Sequence, residues 1–403
     1  MTPRDALRLL TIVKVTPPLI SRRALIAGAA AFSAACQKPK ATRILGYCFI
    51  ANQGSRSVSV LDLSRFRVRT HIALDAAPSE VVAPVKPARA YVLARENATV
   101  YEIDAISLAV SRRVRLGNEA VSMRLSRSGD AVWVLLRDPA ALVEVTLSSL
   151  HPGRRISLSS AADAFELSRE TADACIVSRG DRTVTVASLD QASVSRTIAS
   201  PVEPSIACFR KDGRHLIAGS EAARSLTVYD AASGRTVVTL PLGLAPRHFC
   251  TTGDGGQLYI TGDGMDAVVT VYPYRTEVAE TRLAGHAPGV MAVTETAAGD
   301  PTPSFLMVAN PDSDRVTVLD VESGKLAALV QVGKEPGKIL ITPDRQYALV
   351  LNEGSGDLAV IRIYSLAGNQ VGGGRVKRYK SAPLFTMVPV GERPVGAATV
   401  VFS

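Results

Sequence analysis

PGKILITPDRQYALVLNEGSGDLAVIRIYSL, residues 336–366, reads as three short strands separated by two turns. Lys338–Thr342 is the first strand, Pro343-Asp344 breaks it, Tyr347–Asn352 follows, Gly354–Gly356 breaks again, and Leu358–Tyr364 is the third. Each strand has the apolar, β-branched content of a sheet buried on both faces, and turn-forming residues stand at each break.

The chain repeats this stretch. PGVMAVTE at 288–295 leads into SFLMVANPDSDRVTVLDVESGKLAALVQVG at 304–333, and the same order of strand and turn recurs at 245–273 and 204–243. Aligning the residues that start each first strand gives Ser79, Ala120, Ala162, Pro204, Pro246, Pro288, Pro336 and Pro394, with steps of 41, 42, 42, 42, 42, 48 and 58. A period near 42 with four strand-like segments per unit is the signature of β-propeller blades. The sequence therefore predicts an all-β chain forming a single propeller of four-stranded blades.

The units are 79–119, 120–161, 162–203, 204–245, 246–287, 288–335 and 336–393, with an eighth made from 394–402 and 44–78. In that last unit Gly46–Asn52, Ser57–Leu63 and Val68–Leu74 supply three strands and Val395–Phe402 the missing inner one, closing the ring and removing both open edges. Unit 162–203 has weak turn chemistry, so seven blades is the alternative to eight. Two insertions, Ala297–Pro303 and the Gly-rich then basic Ala367–Ala382, read as loops.

Charge is placed so as to argue against nucleic acid. Of the formal net charge of +9, residues 1–35 carry +4 and 375–380 another +4, leaving about +1 for the propeller body. A nearly neutral body offers no basic stripe to follow a phosphate backbone.

The first 36 residues read as an export signal, 37–43 as a tether and 44–403 as the propeller. Ser21-Arg22-Arg23 ahead of the short apolar run Ala24–Ala35 resembles a twin-arginine signal, with the general secretory route as alternative. Phe32-Ser33-Ala34-Ala35-Cys36 resembles a bacterial lipobox, although Ser33 stands where Leu is usual; lipidation at Cys36 and a plain cut after Ala35 both stay open. The expected location is the periplasm or outer envelope of a bacterium, with the membrane met only through a lipid anchor.

ITPDRQYALVLNEGS at 341–355, FLMVANPDSDRVTVLDVESGK at 305–325, VQVGKEP at 330–336 and FIANQGSRSVSVLDL at 49–63 carry a family pattern. They resemble the YVTN-type β-propeller repeat over about residues 44–402. The resemblance implies an exported binding protein, with lactonase-like and cytochrome d1-like propellers as more distant relatives.

Ligands of propellers gather where loops surround the central channel. The repeat places Arg247, His248, Lys338, Asn52, Asp263 and Asn352 at that mouth as candidate ligand-binding residues, within a rim that includes Glu119, Arg179 and Glu221. Arg247-His248 is the sharpest feature, because Ser205-Ile206, Gly289-Val290 and Gly337-Lys338 occupy the equivalent positions. Facing the channel, the pair could grip an anion or carry a proton; the alternative is a histidine hydrogen-bonded to a neighbouring blade.

No metal-ligand spacing occurs among the histidines, and without CxxCH there is no covalently attached haem. The carboxylates of Asp312-Ser313-Asp314 and Asp263–Asp266 read as turn chemistry rather than a Ca²⁺ site. Cys208 and Cys250, 42 residues apart, take matched places on adjacent inner strands and read as small buried apolar residues, not a disulfide. The expected function is binding without catalysis or cofactor, by a monomer, to an envelope protein, a polysaccharide or a small ligand. The alternatives are a lactonase-like hydrolase at the channel mouth and a propeller holding haem through a single histidine, as the d1-like relatives imply.

Overall fold

The computed structural model describes residues 44–295, 303–366 and 382–402. Residues 1–36, expected to be an export signal ending at Cys36, and nearly all of both insertions lie outside them.

Eight four-stranded antiparallel sheets form the described chain. The first blade holds β1 (Gly46–Asn52), β2 (Ser57–Asp62), β3 (Arg67–Ala73) and, from the other end, β32 (Pro394–Val401). The second holds β4 (Glu80–Val82), β5 (Arg89–Ala94), β6 (Thr99–Asp104) and β7 (Ala109–Arg115). In the third stand β8 (Glu119–Leu125), β9 (Ala131–Asp138), β10 (Ala141–Thr146) and β11 (His151–Ser157), and in the fourth β12 (Ala164–Leu167), β13 (Asp173–Ser178), β14 (Thr183–Ser188) and β15 (Ser193–Ala199). The fifth takes β16 (Ile206–Phe209), β17 (His215–Ser220), β18 (Ser225–Asp230) and β19 (Thr236–Pro241), and the sixth β20 (Ala245–Thr251), β21 (Leu258–Asp263), β22 (Ala267–Tyr272) and β23 (Glu277–Leu283). The seventh has β24 (Met291–Val293), β25 (Phe305–Asn310), β26 (Arg315–Asp320) and β27 (Leu326–Gln331), and the eighth β28 (Pro336–Ile341), β29 (Tyr347–Asn352), β30 (Asp357–Arg362) and β31 (Leu384–Pro389).

The weak unit at 162–203 does form its blade, so the count is eight. Each strand lies within a residue or two of its expected place; the third strand of the opening stretch ends at Arg362, where a 3₁₀ turn, Ile363–Ser365, takes over.

The two middle strands of each blade are buried on both faces because each face meets a neighbouring blade. In β1, Phe49 and Ala51 pack toward the second blade while Cys48 and Ile50 pack toward the eighth. The same alternation sends Tyr91 and Leu93 to one side of β5 and Val92 and Ala94 to the other. Eight such clusters fill the eight junctions, which closes the ring. Closure is also made through the backbone, because β32 pairs antiparallel with β1 from Gly46–Val401 to Asn52–Pro394.

The Asn that ends the second strand of three blades is a structural clamp. Asn310 is wholly buried; its Nδ2 donates to the Ala284 carbonyl at 2.8 Å, and its Oδ1 accepts from Thr317 Oγ1 at 2.7 Å. That ties the loop entering the seventh blade to the blade itself. Gly285 takes φ +89° there, and a β-carbon on it would stand 2.7 Å from Asn310 Nδ2, so the loop has room for glycine alone. Gly391 lies equally close over Asn52.

Candidate functional site: the central channel

Strand pairing fixes which residues look into the channel. Opposite the next-to-last residue of the second strand stand Glu80, Ala164, Ile206, Lys338 and Gly396, and steps of 42 put Ser122, opposite Leu135, and His248, opposite Thr261, at the equivalent places. Two residues further along, on the same face, come Arg124, Glu166, Cys208 and Cys250. The intervening residues turn the other way, and Met123, Phe165 and Ala207 join the cores between blades. The channel thus carries an outer ring with Glu80, His248 and Lys338, and an inner ring with Arg124, Glu166 and two thiols.

Bulges separate Arg247 from His248. The pairing of β20 with β21 skips Arg247 between Pro246 and His248, and that of β28 with β29 skips Gly337 between Pro336 and Lys338. A bulge admits one unpaired residue and re-aims its neighbours. Arg247 consequently leans to the rim, where its guanidinium meets Asp263 at 2.9 Å and Glu221 at 3.6 Å, while His248 lines the channel.

The rim is a chain of shared charges running from the third blade to the sixth. Arg137 stands 3.1 Å from Glu119 and 3.8 Å from Asp163; Asp163 accepts the Arg179 amide at 2.8 Å; Arg179 reaches Glu221 at 2.7 Å; and Glu221 meets Arg247. Each pair is partly exposed and individually weak, yet together they leave these rim charges matched.

Beneath the rim the matching is incomplete. Arg124 Nε donates to Glu166 at 3.0 Å and its guanidinium lies 3.5 Å from Glu80, which also accepts the Met123 amide at 2.8 Å and pairs with Arg95. The Lys338 ammonium makes no hydrogen bond or ion pair with any described residue, and its pKa is pushed below the lysine range, first by removal from bulk water and then by the charge of Arg124. The imidazole of His248 is likewise without a hydrogen bond, so it is not held by a neighbouring blade. Its pKa lies below the ordinary imidazole value, mainly through desolvation and next through Arg247, which keeps it neutral at pH 7.

Of the candidate residues, the structure brings Arg247, His248 and Lys338 together around one cavity and sets Asp263 against Arg247. Asn52 and Asn352 are elsewhere: both are wholly buried, Asn52 Nδ2 donating to Ser59 at 2.7 Å and Asn352 Nδ2 to Asp357 at 2.6 Å. Cys208 and Cys250 are half-buried and channel-facing, unlike the fully buried Cys48 and Cys175; all four thiols are free. In the two acidic loops, Asp314 Oδ1 caps the Glu335 amide at 3.0 Å and Asp266 holds His286 at 3.1 Å.

Glu80, Arg124 and Glu166 were not among the expected residues. The signal for them was the period itself, since 124, 166, 208 and 250 are successive steps of 42.

The channel is roomy. One part, of about 730 Å³, is lined by Glu80, Arg95, Arg124 and Lys338; a second, of about 560 Å³, continues past Arg124 and Lys338 along the fourth, fifth and sixth blades. Both sizes suit small-molecule ligands.

Compared with protein-family models and with curated proteins, the chain finds no match. Among solved structures it is similar to the dihydro-heme d1 dehydrogenase NirN in complex with DHE, with TM-score 0.71 and 16% identity, over 91% of this chain and 78% of that one. It is similar to hydrazine synthase of Kuenenia stuttgartiensis (TM-score 0.56, 18% identity, 73% and 98% coverage). A functionally unknown protein from Desulfotomaculum acetoxidans matches at TM-score 0.56 and 14% identity, with 72% and 97% coverage. At these identities the likeness is one of fold.

Proposed function

We propose that this chain is an exported binding protein of the bacterial envelope, of the YVTN-type repeat class, that holds a small anionic molecule in its central channel without transforming it. Lys338 carries the reading: an ammonium in no direct ion pair with a described residue, beside Arg124 and within the field of Glu80 and Glu166, in a cavity of ligand size. A bound carboxylate or phosphate would supply a directly paired opposite charge and hold the proton on Lys338. Binding fits better than hydrolysis because the channel carboxylates, Glu80 and Glu166, are engaged by arginines, and His248 has no carboxylate hydrogen-bonded to it as a base would require.

The test is ligand-linked stabilisation of the full chain by simple carboxylates and by inorganic phosphate. An anion that raises Tm in a concentration-dependent way for the native protein, and does so at least ten-fold more weakly for Lys338→Met, supports the reading; equal response of both proteins sinks it. Export and lipidation belong to the same proposal, and Cys36→Ser should release the protein from the membrane fraction.

A second reading rests on the free ring of His248 together with the likeness to a propeller that binds DHE. The residues fit a haem-type group: the unpartnered imidazole of His248 could hold its iron, and Lys338 and Arg247 could meet its carboxylates. Such a group would bring one-electron chemistry of its own. A visible absorption spectrum of protein made in a haem-competent host decides it, with a Soret-like band lost in His248→Ala as the positive outcome.

A further inference from the structure

The cavity along the fourth, fifth and sixth blades is one-sided in charge. Six cations line it, Arg124, Arg169, Arg210, Lys211, Arg247 and Lys338, against the single carboxylate of Glu166. Four of them are engaged. Arg124 is held by Glu166, Arg210 by Asp212 at 2.6 Å, Arg247 by Asp263, and Lys211 Nζ donates to the Gly253 carbonyl at 2.8 Å. The other two, Lys338 and Arg169, make no hydrogen bond or ion pair with any described residue.

These two stand at opposite ends. Lys338 is on the outer ring, level with Ala164, while Arg169 lies in the loop that leaves the far end of β12. Arg169 is five positions beyond Ala164, a distance of at most roughly 16 Å at about 3.3 Å per residue, the chain bending after Leu167. Long side chains reaching inward shorten the gap between the charges. Both cations act on one thiol between them: the pKa of Cys250, pushed up to about 11 by burial, is drawn down by Arg169 and by Lys338. The wall on that path is apolar and soft: the Cys208 and Cys250 thiols face the channel, and Phe165 and Phe249, set into the cores between blades, border the cavity beside them. Glu295, another carboxylate near Cys250, forms no ion pair with Arg169.

We propose that the channel ligand is a dianion with its charges at two ends and an apolar middle, such as a medium-chain or aromatic dicarboxylate, lying along the channel with one carboxylate on Lys338 and the other on Arg169. This rests on the reading of the channel as an anion site. The apolar segment would replace water along the Phe and Cys wall, and each carboxylate would meet a cation that has no other partner.

The experiment titrates the full chain with dicarboxylates from succinate to sebacate and with the monocarboxylate of each length, reading Kd by calorimetry. The expected result is an optimum at intermediate length, there at least ten-fold tighter than the matching monocarboxylate. Arg169→Met should erase that preference and leave monocarboxylate binding unchanged, and Arg169→Lys should keep much of it. Lys338→Met should weaken both classes. Equal affinity for mono- and dicarboxylates, or a preference that survives Arg169→Met, overturns the two-ended ligand while the simple anion site stands. No binding by any member of either series overturns both. Far-ultraviolet circular dichroism and the emission of Trp133, the lone tryptophan, confirm that each variant is folded.

Discussion

The Nε–H of Arg124 donates to the Glu166 carboxylate at 3.0 Å across the junction of the third and fourth blades. One hydrogen bond thus joins two inner strands and also sets how much positive charge the channel shows. Glu166→Gln keeps the shape and removes the charge. Because both side chains are partly exposed, the stability cost should be about 1 kcal/mol or less, while affinity for an anionic probe rises several-fold. Thermal unfolding followed by Trp133 emission and a parallel ligand titration check the two effects; weaker anion binding would contradict the account.

The clamp at Asn310 should be far costlier to lose. Asn310→Ala leaves the Ala284 carbonyl and the Thr317 hydroxyl without their buried partner, a loss of about 2–3 kcal/mol. Gly285→Ala, which forces a side chain into the same contact at positive φ, should destabilise comparably. Urea unfolding of both variants provides the measurement, and a change under about 0.5 kcal/mol would mean the loop is held by something else.

His248 predicts a pH slope. Its native pKa is lowered below the reference value of 6.5, so on acidification the unfolded chain takes up the proton first. Stability is therefore lost as pH falls through the window just beneath that reference value and is regained as pH rises through it. His248→Gln should lose less Tm than the native protein between about pH 7.5 and pH 5. Identical pH profiles would place the imidazole in water rather than in a desolvated channel.

Deleting residues 394–403 strips β32 from β1, uncovering the inner edge of the first blade and the apolar face of Ile50 and Cys48. Such an exposed edge invites pairing between chains, so the truncated protein should aggregate or run as large oligomers in gel filtration where the full chain runs as one species. A monomeric, cooperatively folding product would show that the other seven blades hold the arc closed.

The propeller was legible because its period is written in positions that packing dictates: Pro at strand entry, alternating apolar residues, Gly and Asp at turns. Asn52 and Asn352 show how that same regularity misleads. An Asn closing a strand next to the channel looks like a ligand donor, but whether its amide points to solvent or beneath the adjoining loop depends on how close Gly391 and its counterparts approach, a tertiary fact. Arg247 and His248 were found as a pair, and only the bulge between them, invisible as spacing, sends one to the rim and the other inward. Glu80, Arg124 and Glu166 needed strand register, which the repeat contained but which becomes usable once one channel-facing residue is known.

The pairing of β32 with β1 has a consequence for timing. No residue before Pro394 can fill the inner edge of the first blade, so the ring stays an open arc until the chain has been made at least as far as Val401. Completion is then a single event that joins the two most distant parts of the described sequence. A chain cut short before Val401 therefore leaves that latch unmade, with β1 still offering a free edge to any strand that reaches it first.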